Sequence, residues 1–115
     1  MNRDACRIID ANFNRAREAA RVMEEFCRFA LNSCDLAARA KRLRHELCGT
    51  IAKLDQAELL TARDTTGDVG VGSRIDNQMS RGSLYDSFTA ACKRLPEALR
   101  VIAETLKPIN AEAAE

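Results

Sequence analysis

The stretch Ile9-Asp10-Ala11-Asn12-Phe13-Asn14-Arg15-Ala16-Arg17-Glu18-Ala19-Ala20-Arg21-Val22-Met23-Glu24-Glu25 decides the fold of this chain. It lies inside a run from Asp4 to Asn32 that holds no glycine or proline. Ile9, Phe13, Ala16, Ala20, Met23, Cys27 and Ala30 recur at helical spacing and form one apolar row. Ile8, Ala19, Val22, Phe26 and Phe29 widen that row to roughly 200° of the wheel, at about 100° per residue, more than a surface helix needs. Asn12 falls near the centre of this arc, Arg15 falls between Ala19 and Val22, and Glu18 lies on its border. A buried amide or guanidinium is costly unless paired. The diagonal Asn12, Arg15, Glu18 therefore marks either a polar clamp between helices or a ligand site, and these residues alone leave both open.

At 115 residues the chain makes one domain around a single core. Apolar residues are 46% and charged residues 30%, with few aromatics and little glycine or proline. That profile predicts an all-α fold, a small bundle of three to five helices with a long glycine-rich loop. The helical domain spans 1–109, and 110–115 is a frayed tail or the start of a linker. A net charge of +1 argues against a polyanion-binding function, so no nucleic-acid partner is expected. The basic cluster Arg39, Lys41, Arg42, Arg44 and His45 reads as a solvated face. Five cysteines, Cys6, Cys27, Cys34, Cys48 and Cys92, form no CxxC pair, and there is one histidine. They read as reduced thiols filling core positions rather than as a metal site. No apolar run follows Met1 to Ala5 and no stretch approaches a membrane span, so the expectation is a cytoplasmic chain with neither signal peptide nor membrane partner.

The first helix should begin near Arg3 or Asp4 and end at Leu31-Asn32-Ser33, with Ser33 or Asp35 capping the second. The second carries the seam Leu36, Ala40, Leu43, Leu47, Ile51 and Leu54. Gly49 weakens it by about 1 kcal/mol relative to Ala, which predicts a kink or an end there. His45 projects opposite the seam as an exposed or interface residue, and a short helical continuation covers Ala57 to Leu60. From Thr61 to Arg74 the pattern is that of a loop, with three of the five glycines and the carboxylates of Asp64 and Asp68. Extended to Gly82 it is roughly twenty residues long, a length associated with function. Gly67, Gly70 and Gly72 permit positive φ and amides aimed at an anion, Arg63 and Arg74 add charge, and Asp64 and Asp68 are potential Mg²⁺ ligands. The spacing fits neither a Walker A loop nor a dinucleotide fingerprint, so a plain structural turn stays open. Ser83 caps the last helix, which runs through Leu84, Phe88, Ala91, Leu95, Ala98, Ile102 and Leu106 to Pro108. Pro96 in its middle costs about 3 kcal/mol unless the helix kinks or restarts.

A shift of 79 residues lays Asn14 to Glu25 on Lys93 to Glu104, with Arg15 on Arg94, Glu18 on Glu97, Ala19 on Ala98, Arg21 on Arg100, Val22 on Val101 and Glu25 on Glu104. Arg94 again falls inside the apolar arc and Glu97 on its border. The echo predicts a pseudo-symmetric pair whose polar groups meet in one place, with a chance likeness of two alanine-rich amphipathic helices as the alternative.

Four blocks carry a resemblance. They are Asp10 to Val22, Leu43-Arg44-His45, Ala62-Arg63-Asp64-Thr65 with Gly67-Asp68-Val69-Gly70, and Lys93-Arg94 with Glu97-Ala98-Leu99-Arg100-Val101. In this order they resemble the monofunctional hydroxymethylpyrimidine phosphate kinases, found alone or fused ahead of thiamine phosphate synthase. The resemblance implies transfer of the γ-phosphoryl group of ATP to 4-amino-5-hydroxymethyl-2-methylpyrimidine phosphate, giving the diphosphate used to build thiamine. It implies ATP as co-substrate, Mg²⁺, and association with or fusion to a thiamine phosphate synthase. On that basis Arg15, Arg21, Arg94 and Arg100 hold phosphate oxygens, and Asn12 and Asn14, with Glu18 and Glu97 beside them, read the acceptor. Arg63 with Gly67 and Gly70 covers the nucleotide phosphates, Asp64 or Asp68 carries Mg²⁺, Lys93 binds the transferred group, and His45 orients the nucleophile. The opening diagonal then becomes a bet that Asn12 and Arg15 are buried for a bound phosphate.

Two other readings compete. One is a non-catalytic helical module that docks on or dimerises a thiamine-pathway enzyme, with Arg and Glu as internal ion pairs. The other is a small all-α enzyme of chorismate-mutase type, whose inward arginines bind carboxylates without metal. The wide apolar arcs also allow a homodimer.

Overall fold

The computed structural model describes residues 2–63, 66–70, 82–108 and 114. Among these the chain is all-α, with helices α1 (Arg3–Glu25), α2 (Cys34–Ile51), α3 (Gln56–Thr61) and α4 (Leu84–Leu106), and no strand. Each helix starts on a short polar side chain that accepts an otherwise orphaned amide. Asn2 Oδ1 accepts from Ala5 N at 2.7 Å, Ser33 Oγ from Leu36 N at 3.2 Å, Asp55 Oδ1 from Glu58 N at 3.1 Å and Ser83 Oγ from Asp86 N at 3.1 Å.

The end of the first helix differs from a plain α-helical stop. Phe26–Ala30 forms a π-helical segment, closed by Leu31 N donating to Phe26 O at 3.0 Å. Asn32 then takes φ 50°, the left-handed conformation that asparagine tolerates, and the chain reverses into α2. The wider turn brings Phe26 face to face with Phe88 of α4, ring centroids 4.4 Å apart and planes within 16°. Phe29, expected in the apolar arc, is left 66% exposed, and Ile8 at the arc's other edge is exposed as well. The buried stripe is therefore narrower than the wheel predicts.

The core runs along α1 as Cys6, Ile9, Ala16, Ala19 and Ala20, meeting Leu47 and Ile51 of α2, Leu59 and Ala62 around α3, and Ala91, Leu95, Ala98, Ile102 and Leu106 of α4. Helix α1 is the central element: α2, α3 and α4 all pack on it. The Phe26–Phe88 contact joins the end of α1 to the start of α4, so these two run antiparallel. Alanines at Ala16, Ala19, Ala20, Ala91 and Ala98 let the helices approach closely. Ile9 is completely buried, and truncating it to alanine would cost about 2–5 kcal/mol through lost burial and the cavity left behind.

Neither helix stops at its expected weak point. Helix α2 passes through Gly49 to Ile51, and α4 passes through Pro96 without ending or restarting. Pro96 lies on the solvent side of α4, where the missing hydrogen bond is the least costly to leave to water. The expected tail, 110–115, lies outside the described residues except for Ala114, which is partly buried against the core. No described helix is long and apolar enough to cross a membrane.

Gly49 is exposed, and a Cβ added there meets nothing within 4 Å. Gly49→Ala is therefore expected to stabilise the protein by about 1 kcal/mol through helix propensity alone, read as a raised thermal midpoint.

Candidate functional site

The cations of the two echoed helices do not converge as four equivalents. They separate by their position around α1, at about 100° per residue. Ile8, Arg15, Val22 and Phe29 share one stripe of α1 at seven-residue intervals, and Ser87, Arg94 and Val101 share one of α4. Val22, Phe29 and Ser87 line one cleft of about 420 Å³, together with Glu25, Phe26, Ala30 and Leu84. The two stripes thus meet at this α1–α4 cleft, and Arg15 and Arg94 follow it one interval further along their stripes, outside its lining.

Arg15 corrects the sequence reading, for it is exposed, as is Glu18. Close packing of Ala16, Ala19 and Ala20 keeps the long side chain at the groove's margin instead of in the core. Asn12 is buried as expected, but its Nδ2 donates to the Ile8 carbonyl one turn back at 2.9 Å, so its own helix satisfies part of the amide. Arg94 is half-buried, and its Nε is buried with no hydrogen-bond partner among the described residues. Leaving such a donor unsatisfied costs on the order of 1–3 kcal/mol.

On the opposite edge of α1's exposed face, Asp10 is buried and holds Arg63. Nε donates to Oδ2 at 2.7 Å and Nη2 to Oδ1 at 2.8 Å, a bidentate pair that pushes the guanidinium pKa further up. The same residue's carbonyl accepts from Asn14 Nδ2 at 3.0 Å, and Asn14 Oδ1 accepts from Arg17 Nη2 at 3.0 Å. From Asp10 to Arg15 the wheel turns by about 140°, and Arg21, Asn14, Glu18 and Ala11 fall between them. One exposed face of α1 is therefore edged by Arg63 on one side and by Arg15 on the other.

Not every expected residue joins it. Arg100 lines a separate cleft between α2 and α4 with Leu43, Glu46 and Ala103. Lys93 and Glu97 are exposed on α4 beyond Arg94, and His45 is exposed on α2 opposite Leu47. Gly67, Asp68 and Gly70 are exposed, with Asp68 Oδ1 accepting from Gly70 N at 2.8 Å. Gly70 does not use the left-handed region. Asp64, Gly72 and Arg74 lie outside the described residues. Among the described residues no group of three or more His, Cys, Asp or Glu is placed to hold a metal ion.

Sequence reasoning missed the two ion pairs that organise this region. One is Asp10–Arg63; the other joins α1 to α2 through Arg44 Nε and Glu24 Oε2 at 2.9 Å, with Nη2 and Oε1 at 3.4 Å. The available signal was position: Asp10 follows Cys6 by four residues and Glu24 follows Ala20 by four, so each carboxylate flanks a buried residue and needs a partner. The cysteines are free, with Cys6 and Cys27 buried as expected, and burial pushes the Cys6 thiol pKa up.

Residues 7–115 match the profile of the ThiD2 family. The chain belongs to that family. Among curated proteins, this ThiD2 chain is similar to the thiamine-phosphate synthase of Rhodopirellula baltica, 40% identical over 113 residues, 98% of this chain and 30% of that protein. It is also similar to the thiamine-phosphate synthase of Nostoc punctiforme, 46% identical over 101 residues, 88% of this chain and 28% of that protein. Against the thiamine-phosphate synthase of Parasynechococcus marenigrum it is 42% identical over 112 residues, 94% of this chain and 31% of that protein. The ThiD2 chain thus spans less than a third of the length of these relatives. No solved structure matches it. The family ties the chain to thiamine biosynthesis.

The hydrogen bonds from Arg44 hold the Glu24 carboxyl below its ordinary pKa of 4.5. Their stabilisation is complete above that value and is lost as pH falls through the lowered folded-state pKa. Glu24→Gln should therefore cost about 1–3 kcal/mol near pH 7, and the deficit against wild type should shrink below pH 4.5, measured by urea denaturation at each pH.

Proposed function

We propose that this chain catalyses transfer of the γ-phosphoryl group of ATP to 4-amino-5-hydroxymethyl-2-methylpyrimidine phosphate, forming the diphosphate that thiamine biosynthesis consumes. The observation that carries this reading is the buried Nε of Arg94, without a partner among the described residues, on the α4 stripe that, like the α1 stripe of the exposed Arg15, leads into the α1–α4 cleft. An anion bound between these two stripes would meet charge-assisted guanidinium donors. Ile8, Val22 and Val101 on the same stripes give the pyrimidine ring an apolar surface, so one groove suits both ends of the acceptor.

In this reading an oxygen of the acceptor's phosphate attacks the γ-phosphorus, the bond to the β-bridging oxygen breaks, and ADP leaves. A phosphate monoester is largely dianionic at pH 7, with a second pKa of about 6, so no strong general base is required. What the site must supply is positioning and charge. Arg15 and Arg94 hold the acceptor's phosphate, and Arg63 with the Gly67 to Gly70 segment holds the nucleotide across the exposed face of α1. Asp68, with Asp64, would hold Mg²⁺, which when bound neutralises charge on the nucleotide phosphates. Asn14 and Glu18, lying between the two edges, are placed to meet the acceptor.

A second reading rests on a different observation. Phe29, Leu84 and Tyr85 are 66%, 75% and 65% exposed around the cleft at the start of α4. Such a patch favours a non-catalytic docking or dimerisation module.

Incubation with the pyrimidine monophosphate and Mg·ATP is expected to yield the diphosphate and ADP in equal amounts; neither product, beside an active control kinase, defeats the proposal. Arg15→Ala should lower kcat/KM at least a hundredfold, roughly 2.7 kcal/mol or more, with an unchanged circular dichroism spectrum. Calorimetry that finds no binding of either substrate supports the docking module instead.

A further inference from the structure

We infer that Asp10 is a positioning residue that fixes Arg63 so that one edge of its guanidinium is presented to a phosphoryl group of the nucleotide; this rests on the kinase reading above. The argument starts from the cost of the pair. The Asp10 side chain is only 12% exposed, whereas that of Arg63 is 51% exposed. Burying a carboxylate is expensive, and a partner half in solvent returns little of that as stability. The geometry is nonetheless tight, with both carboxylate oxygens engaged at 2.7 and 2.8 Å.

A guanidinium carries five N–H donors in one plane. Asp10 takes one from Nε and one from Nη2, which leaves both donors of Nη1 and the second of Nη2 on the far edge. The side chain as a whole is 51% exposed, which leaves room for a ligand on it. A planar group clamped along one side is pre-organised along the other, so little entropy remains to be lost when an anion binds. Arg63 also directly follows Ala62, the last buried residue before the glycine-rich segment, so Asp10 fixes where that segment leaves the body of the protein. The carbonyl of Asp10 meanwhile orients Asn14, and Asn14 orients Arg17. One buried residue of α1 thus sets the nucleotide edge of the exposed face.

The test compares Asp10→Asn, Arg63→Ala, Arg63→Lys and the double variant Asp10→Asn/Arg63→Ala, each checked for fold by circular dichroism. Asp10→Asn is expected to lower kcat/KM for Mg·ATP at least tenfold and to weaken calorimetric binding of Mg·ATP in parallel. KM for the pyrimidine monophosphate should stay within twofold. The double variant should be no worse than Arg63→Ala, because Asp10 acts only through Arg63. Arg63→Lys keeps the charge but not the two-edged plane, so it should resemble Asp10→Asn, and it decides the matter if Asp10→Asn does not fold. Unchanged Mg·ATP affinity in either variant overturns the inference, as does an Asp10→Asn loss that persists in the Arg63→Ala background. A wild-type chain that binds Mg·ATP but makes no diphosphate overturns the kinase reading alone, and the calorimetric comparison still decides the role of Asp10. A wild-type chain that does not bind Mg·ATP overturns both.

Discussion

Close contact between α1 and α4 through alanine is the constraint on which the rest depends. Ala16, Ala19 and Ala20 face the interior on one helix and Ala91 and Ala98 on the other, all buried. Small side chains bring the backbones together and leave no room for longer ones between them. Arg15 is consequently displaced to the margin of its arc, where it keeps its charge in contact with water, while Arg94 is only half-buried. The same contact that makes the fold therefore makes a groove with cationic borders.

Helix α1 carries three duties at once. Its inner face supplies as many core residues as α4 does, its flanks hold α2 through Glu24 and the end of α3 through Asp10, and its outer face is the candidate site. A sequence under these demands has little freedom, which explains why the stretch from Ile9 to Glu25 is unusual for an amphipathic helix. The polar residues that look misplaced on a wheel are those with duties to neighbours or to a ligand. Asn12 serves its own helix, Asp10 and Glu24 serve neighbouring segments, and Arg15 has no partner among the described residues.

Much of the fold was legible because its causes are local. Ser33 and Ser83 cap where their side chains stand three residues ahead of an amide, and the apolar rows of α2 and α4 name their own buried faces. What escaped was non-local or quantitative. The π-helical segment at Phe26 accompanies a stack with Phe88, a residue far along the chain, so no local pattern announces it. Pro96 and Gly49 are weak points whose local cost the packing of long helices outweighs. Of the site, Arg15 and Arg94 were visible as anomalies of pattern, but their degree of burial was not. The sorting of Arg100 into a different cleft required knowing which helices are neighbours.

Helix α3 has one buried residue, Leu59, and spans only Gln56–Thr61. Elements so lightly anchored open by local unfolding far more often than the molecule unfolds as a whole. The buried middle of α1, on which α2, α3 and α4 all pack, is expected to open only with the whole molecule, whereas α3 can open in a smaller event. Because Arg63 hangs from the end of α3 by its bond to Asp10, each such opening also unseats one edge of the candidate site. Occupancy of that edge by a ligand would oppose the local opening, so a single ion pair links the stability of a short helix to the state of the candidate site.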